Sequence, residues 1–325
     1  MTTTLKCLAV LLITLTLNSA FSQSSPDALS TPLPPALADS LVIHYLAQVD
    51  QVYFDKTKAV LIRKELTRRR KAGEFYNLPE KKLTDSLSGL LRRITNDIHF
   101  YVGVQDKQPK ANEGPAKAHP KANTNGGFAD VRLLRGNIGY MKWNSFIADE
   151  NSFKKFIAAA TFLEGCESLI IDISQCGGGD GRMGGFVNQH LYEDGAYQDL
   201  LIKKCGGETD WHQSEVPYNY SNGPKFYDIP VFIMVSERTA SAAEYFAFIA
   251  QEMKRATILG ARTAGAGNPV TMVNFDNYFA YIPVCQITTK SGKSIEGVGV
   301  TPDVKLTENR LEETINYILA KREHQ

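Results

Sequence analysis

A serine at the start of a helix is the first feature of this sequence that could do covalent chemistry. Ser241 lies in the small-residue segment TASAAEYF, which follows an apolar strand pattern, PVFIMV, and opens a helical pattern. At a helix N-terminus the dipole and the free N–H groups can stabilise an oxyanion, and Ala242 could donate its N–H. A serine in this place also commonly caps its helix. Taken alone, Ser241 fits the structural role better than the catalytic one.

Three glycines close behind a buried strand offer a second element of an acyl-transfer site. The strand pattern LIIDI is followed by Gly177, Gly178 and Gly179. Glycine permits a positive φ and lets backbone N–H groups face a developing oxyanion or a phosphate without a Cβ in the way. Nucleotide binding is disfavoured, because the Gly-Lys-Ser/Thr ending of a P-loop is missing. Many tight turns share this composition, so the signal is weak by itself.

Two further side chains could act as a base and as the group that orients it. His99 stands in the segment DIHF after a helical pattern, and Glu296 stands in SIEGVGVTPD. A histidine among apolar neighbours is usually structural, and a glutamate at a glycine-flanked turn is usually an ordinary exposed residue. Neither residue identifies a catalytic group without the rest of the set.

Together and in this order, the segments resemble the tail-specific (C-terminal processing) protease family. The branch is the one that includes the tricorn protease core and the interphotoreceptor retinoid-binding protein repeats. LIIDISQCGGG is similar to the family's oxyanion segment, TASAAEYFA to its nucleophile segment and IEGVGVTPDV to its terminal signature. The resemblance covers most of residues 137–306 and the Asp97–His99 element. It implies an α/β fold whose mixed sheet has crossover helices, with a ClpP/crotonase-like core.

The resemblance also implies an activity, that of a serine-type endopeptidase. Ser241 would be the nucleophile, His99 the general base and Glu296 the group that orients the imidazole. The implied oxyanion and substrate-binding residues are Gly177, Gly178 and Ala242. An acyl-enzyme mechanism needs no metal and no other cofactor, so none is expected. The expected partner is a peptide or an unfolded protein.

The sequence departs from the family pattern at two places. Many members use a Ser–Lys dyad with the lysine between glycines, but the matching position here is Ala266. The tricorn-like branch uses a histidine from an Asp-x-His element and a glutamate instead, and His99 and Glu296 stand in those places. An Arg-x-Asn set often precedes the glycines, whereas this chain has Ser174-Gln175-Cys176. That change would reshape the pocket or weaken the activity.

Two other functions compete with proteolysis. A non-catalytic protein that binds peptides or apolar ligands on the same fold is favoured by the altered residues 174–176, and the joint presence of Ser241, His99 and Glu296 argues against it. An α/β-hydrolase esterase is the weaker alternative, because no Gly-x-Ser-x-Gly elbow surrounds Ser241.

The elements that must position these residues divide into a helical unit and a mixed α/β core. Residues 36–104 have helical apolar spacing and predict a small N-terminal helical unit. Residues 105–127 are rich in Lys, Pro, Ala, Asn and Gly and predict a flexible linker, where the family's PDZ module usually sits. Residues 128–325 alternate strand and helix patterns, which predicts a catalytic core of parallel strands joined by crossovers.

The N-terminus predicts export. Residues 1–22 contain Lys6, the apolar run CLAVLLITLTL and the small-x-small site Ala20-Phe21-Ser22, which is the layout of a secretory signal cleaved near Ser22. Residues 23–35 read as an extended leader. The mature protein would be periplasmic or extracellular, and peripheral membrane association would require an uncleaved signal. Lys and Arg total 36 against 35 for Asp and Glu, which gives no reason to expect nucleic acid as a partner.

Four cysteines follow the signal: Cys166, Cys176, Cys205 and Cys285. Export would permit disulfides. A Cys176–Cys205 bridge and buried free thiols are alternatives that the sequence leaves open. The spacings match no metal-ligand pattern.

Overall fold

The computed structural model describes residues 31–105, 125–214, 222–307 and 309–323. The predicted signal, most of the leader and most of the linker lie outside these residues. The helices are α1 (Pro35–Val52), α2 (Lys56–Lys71), α3 (Glu80–Thr95), α4 (Glu150–Phe162), α5 (Gly181–Leu191), α6 (Ala242–Glu252) and α7 (Arg310–Glu323). None of the helices within the described ranges combines the length and apolarity needed to cross a membrane.

The strands are β1 (Tyr101–Val104), β2 (Phe128–Leu134), β3 (Ile138–Trp143), β4 (Ser168–Asp172), β5 (Leu201–Cys205), β6 (His212–Gln213), β7 (Val231–Val235), β8 (Ala256–Gly260), β9 (Val270–Phe275), β10 (Tyr278–Pro283), β11 (Cys285–Thr289) and β12 (Val304–Lys305). They form one six-stranded sheet and two three-stranded sheets.

The N-terminal helices share a core with a hairpin from the far end of the chain. Apolar residues at helical spacing, such as Leu83, Leu87 and Leu91 of α3, are fully buried in this core. Strand β1 follows α3 and pairs antiparallel with β10, which pairs with β9. The inner face of this sheet packs against the helices through residues such as Val102 and Ala280. His99 directly precedes β1, so its position depends on both the N-terminal helices and the β9–β10 hairpin.

The central sheet has the strand order β12-β8-β7-β4-β3-β2. Strands β3, β4, β7, β8 and β12 are parallel, and β2 pairs antiparallel with β3. All residues of β4 and β7 are buried, which explains their continuous apolar runs. This mixed sheet with crossover helices confirms the predicted fold class. Because β4 and β7 are adjacent and parallel, the segments that follow them meet at one edge of the sheet, which places residues 177–179 beside Ser241.

A disulfide joins two strands of the third sheet, whose order is β11-β5-β6. Cys205 and Cys285 are direct register partners on β5 and β11 and are bonded to each other across a sequence separation of 80. The conceivable Cys176–Cys205 bridge is wrong, because Cys176 is a buried free thiol, as is Cys166. The pairing depends on strand register, which the spacing of cysteines does not encode.

Replacing both Cys205 and Cys285 by serine should lower the free energy of unfolding by about 2–4 kcal/mol, because the unfolded chain loses a constraint on a long loop. Urea unfolding without reductant measures the difference. A reductant should bring the parent to the stability of the double variant and leave the double variant unchanged. Equal stability of the two proteins without reductant would contradict the prediction.

Candidate active site

Ser241 occupies a strained backbone conformation immediately before α6. Its φ is 56° and its ψ is −126°, in a region that side chains other than glycine rarely adopt. Such a conformation costs on the order of 1–3 kcal/mol and persists only where the surroundings impose it. A serine that only caps a helix does not need this strained conformation.

Glu244 supplies much of that constraint. Its side chain is fully buried. One carboxylate oxygen accepts hydrogen bonds from the N–H of Ser241 (2.9 Å) and of Ala266 (2.8 Å), and the other accepts from the Thr263 hydroxyl (2.5 Å) and the Gly265 N–H (2.7 Å). Four donors compensate the buried charge and tie the serine turn to the loop of residues 263–266. Glu244 is not among the residues predicted from the sequence, although Ser-x-x-Glu at a helix start is the pattern of a capping box.

The glycine turn after β4 lies directly against the serine. Gly178 has a φ of 94°, and a Cβ built on it would lie 2.6 Å from the Ala240 carbonyl oxygen, 2.8 Å from the Ser241 Cβ and 3.2 Å from the Ala242 nitrogen. Among the described residues, neither the Gly178 N–H nor the Ala242 N–H donates a hydrogen bond. The structure therefore brings together two of the predicted oxyanion donors and the predicted nucleophile.

Hydrogen bonds join the segment that follows β4 to the segment that follows β7. The Ser236 hydroxyl donates to the Ser174 carbonyl at 2.5 Å, the Thr239 hydroxyl donates to the Ile173 carbonyl at 2.9 Å, and the Ala240 N–H donates to the Cys176 carbonyl at 3.2 Å. Of the residues that depart from the family pattern, Ser174 and Cys176 thus accept through their backbone carbonyls, whereas the Gln175 side chain accepts from the Arg238 guanidinium at 3.0 Å. Burial raises the pKa of the Cys176 thiol to about 11, so it stays protonated.

Replacing Gly178 by alanine should lower kcat/KM by on the order of 10²–10³, because the new Cβ would displace an oxyanion donor. Steady-state hydrolysis of a peptide reporter measures the effect. Gly177→Ala is the matched comparison, since a Cβ there meets no atom within 4 Å. A loss as large in Gly177→Ala as in Gly178→Ala would contradict the geometric argument.

His99 lies between two carboxylates at the start of β1. Its side chain is 13% exposed, and its Nδ1 is 3.3 Å from the Asp97 Oδ1, which also accepts the His99 backbone N–H at 2.9 Å. Ligand atoms of Asp97, His99 and Glu296 all lie within 4.8 Å of one another. Asp97 is thus a further member of this cluster. The Asp97 contact at Nδ1 lies within ion-pair distance but is not a hydrogen bond among the described residues. An acid that held the Nδ1 proton would leave Nε2 as the nitrogen free to accept one.

Glu296 is anchored on one oxygen. Its Oε2 accepts the N–H groups of Gly267 (2.7 Å) and Asn268 (2.8 Å). Its Oε1 is buried and has no hydrogen-bond partner among the described residues. Burial, and next the charge of Asp97, raise the pKa of Glu296 to about 7. Glu296 can therefore exchange a proton near neutral pH, and Oε1 is the oxygen available to carry it.

The raised pKa of Glu296 predicts a pH-dependent contribution to stability. Because the folded state holds this proton more tightly than the unfolded chain, the contribution is complete below the ordinary pKa of 4.5 and is lost as the pH rises through about 7. Glu296→Gln, which resembles the protonated acid, should lose less stability than the parent between about pH 5 and about pH 8. Urea unfolding at both pH values measures this, with Glu164→Gln as an exposed control; identical pH dependence in Glu296→Gln and the parent would contradict it.

A cavity of about 520 Å³ opens beside Ser241. Residues that line it include Ser241, Ala242, Gly179, Tyr245 and Asn268. Asn268 connects the cavity to the histidine cluster, because its side-chain amide donates to Asp97 Oδ2 at 2.8 Å. The Tyr245 hydroxyl donates to the Gly267 carbonyl at 2.6 Å. Neither Asn268 nor Tyr245 is among the residues predicted from the sequence. The sequence carries a signal for Tyr245 alone, which lies one helical turn after Ser241.

Ser241 and His99 are not hydrogen-bonded to each other in the described structure. Both ring nitrogens of His99 are buried without a hydrogen-bond partner among the described residues. The loop of residues 263–268 connects the two groups, since Glu244 holds its first part and Glu296 holds its last part. In the part of the chain that the structure describes, Asp97, His99 and Glu296 could also offer three ligand atoms to a metal ion.

A comparison with protein families identifies the chain. The model of peptidase family S41 matches residues 137–306, more than half of the sequence. The chain belongs to peptidase family S41. The match confirms the resemblance drawn from the glycine, serine and terminal segments, all of which lie inside it. His99 precedes the matched residues.

Relatives of this S41 chain include C-terminal processing peptidases. The chloroplastic C-terminal processing peptidase of Tetradesmus obliquus is 28% identical over 170 residues, which cover 52% of this chain and 35% of the relative. The chloroplastic carboxyl-terminal-processing peptidase 3 of Arabidopsis thaliana is 28% identical over 194 residues, which cover 59% and 36%. This chain thus spans little more than a third of the length of these relatives.

A solved structure shares the fold across most of the chain. The lipoprotein from Streptococcus agalactiae matches with a TM-score of 0.59 at 16% identity, covering 89% of this chain and 98% of that one. At this identity the likeness concerns the fold alone.

Proposed function

We propose that this S41 protein is an exported serine peptidase that hydrolyses peptides or unfolded proteins through an acyl-enzyme on Ser241. The observation that carries the proposal is the packing of Gly178 and Ala242 around the strained Ser241. Membership of a serine peptidase family supports the same reaction class. The predicted signal in residues 1–22 supports a periplasmic or extracellular location.

In the proposed reaction, Ser241 Oγ attacks the scissile carbonyl carbon while its proton passes to His99 Nε2. The carbonyl oxygen becomes an oxyanion that accepts the N–H groups of Gly178 and Ala242. His99 then protonates the leaving amine as the C–N bond breaks, which leaves an ester on Ser241. Water deprotonated by His99 hydrolyses the ester and restores the serine.

The two carboxylates near His99, those of Asp97 and Glu296, would have different roles. Asp97 lies at Nδ1 and would hold that proton, so that Nε2 faces the serine. Glu296 would orient the imidazole and stabilise the imidazolium, as the family resemblance implies. Ionisation of Glu296 becomes easier when His99 gains a positive charge, because opposite charges lower the pKa of a carboxyl group.

A non-catalytic peptide-binding protein on the same fold is the second candidate. The absence of a Ser241–His99 hydrogen bond among the described residues favours it, and so do the altered residues 174–176. A protein of this kind would use the cavity beside Ser241 without cleaving its ligand.

Incubation with an unfolded protein separates the two functions. We expect casein to be cut into defined peptides, identified by mass spectrometry, and a fluorophosphonate probe to label Ser241. Binding of intact casein, with no new termini and no labelling, would overturn the peptidase proposal in favour of the binding protein.

A further inference from the structure

The outer face of the β1–β10–β9 sheet carries a row of large apolar side chains. Tyr101, Tyr281 and Met272 are direct register partners across the three strands. Their exposed fractions are 37%, 38% and 54%. Since register partners point to the same side of a sheet, these side chains form one continuous surface, which Phe279 extends. We refer to these four residues as the aromatic stripe.

The rings of the stripe contact one another. The ring centroids of Tyr101 and Phe279 are 5.7 Å apart, and those of Phe279 and Tyr281 are 5.9 Å apart. Gly103 lies beneath them, where a Cβ would come within 2.9 Å of both the Phe279 and the Tyr101 rings. The missing side chain at Gly103 therefore lets the rings lie over the strand.

The stripe lies on the face of the sheet that does not pack into the core shared with the N-terminal helices. The opposite face of the same sheet, including Val102, Ala280 and Ile282, is fully buried against the N-terminal helices. An alternating strand would ordinarily carry polar residues on its solvent side. Contiguous exposed apolar residues on such a face are typical of binding surfaces.

The stripe leads to the catalytic cavity. Val270 lies two residues before Met272 on β9, so both side chains are on the outer face, and Val270 lines the cavity that contains Ser241. On β1, at the other edge of the sheet, Tyr101 follows His99 by two residues. The row thus adjoins the cavity at β9 and follows the predicted base along the chain at β1.

We propose that the aromatic stripe is an exosite that binds aromatic and large apolar side chains of an unfolded polypeptide whose scissile bond lies in the cavity. This inference rests on the proposed peptidase function. Strands are about 4.8 Å apart, so the row of three spans roughly 10 Å, the length of about three residues of extended chain. The stripe would select substrates that continue beyond the cavity and disfavour short peptides.

Binding without cleavage tests the exosite independently of catalysis. In a Ser241→Ala background, Tyr101→Ala with Tyr281→Ala should raise the Kd for fluorescein-labelled casein about tenfold, measured by fluorescence anisotropy. Tyr281→Phe keeps the ring and should retain the parent Kd. Phe162→Ala removes an exposed aromatic side chain from α4, which contributes no residue to the cavity, and is the control. An unchanged Kd in the double variant would overturn the exosite.

Cleavage provides the second measurement. With Ser241 restored, the double variant should show a lower ratio of kcat/KM for casein to kcat/KM for an eight-residue peptide spanning a casein cleavage site, with the loss expressed mainly in KM. An equal fall for both substrates would assign the tyrosines to support of His99 and overturn the exosite. Sedimentation of the parent and of the double variant tests whether a second copy of the chain covers the stripe. If the double variant had fewer subunits than the parent but bound casein equally well, the exosite would also be overturned. Failure of the parent to cleave either substrate would instead count against the proposed function.

Discussion

Ser241→Ala should lower kcat/KM for peptide hydrolysis by on the order of 10⁴–10⁶, which is the largest effect that we expect from a single substitution. Alanine removes the Oγ that forms the acyl-enzyme. It keeps the backbone N–H that donates to Glu244, so the turn and the buried carboxylate retain their hydrogen bond. Single-turnover hydrolysis of a fluorogenic peptide at enzyme excess measures the residual rate.

Two comparisons make this result specific to the nucleophile. Ser86→Ala removes the hydroxyl of a half-buried serine on α3, which donates to the Lys82 carbonyl of the same helix, and should leave the rate at the parent value. The urea midpoint of Ser241→Ala should stay close to that of the parent, since the side chain is removed without a change in the turn. A Ser241→Ala protein that keeps a tenth of the parent rate would show that another group forms the acyl-enzyme.

The central sheet and the meeting of its two turns could be predicted from the sequence. Strands β4 and β7 contain continuous apolar runs because both of their faces are buried, and each strand is followed by small residues. Parallel neighbouring strands end at the same edge, so Gly178 and Ser241 had to meet if the two strands were adjacent. The family resemblance, which rests on the order of the glycine, serine and terminal segments, supports the adjacency of β4 and β7.

The partners of Glu244 could not be predicted. A capping box relates Glu244 to Ser241 over three residues, but the other donors come from residues 263–266 on a separate loop. These contacts depend on how the loop after β8 folds back, which no local pattern records. The same reason hides Asn268, whose amide joins the cavity to Asp97.

The relation between the N-terminal helices and the rest of the chain was equally hidden. The composition of residues 105–127 suggests a separation, yet β1 pairs with β10, and Tyr101 lies opposite Tyr281. Strand pairing over such a sequence distance depends on tertiary packing and has no local signal. This pairing places His99 near Glu296, so the predicted base depends on contacts that unite the two ends of the chain.

His99→Ala should lower kcat/KM by on the order of 10²–10⁴, because Ser241 would have to lose its proton to water. The measurement is the same single-turnover assay. Catalytic groups that act as a unit are strongly non-additive, so the double variant Ser241→Ala/His99→Ala should be no slower than Ser241→Ala alone. An additive loss in the double variant would mean that His99 acts on a different step.

A matched histidine and an acid substitution separate catalysis from support of the fold. His44→Ala removes an exposed histidine that also pairs with a carboxylate, Asp276, and should keep the parent rate. Asp97→Asn keeps the size of the side chain at His99 Nδ1 but cannot hold its proton in the same way, so it should slow hydrolysis while binding of casein is retained. If His99→Ala hydrolysed peptides as fast as His44→Ala, the base would have to come from elsewhere. Glu296, whose Oε1 has no hydrogen-bond partner among the described residues and whose pKa burial raises to about 7, would then be the next group to test.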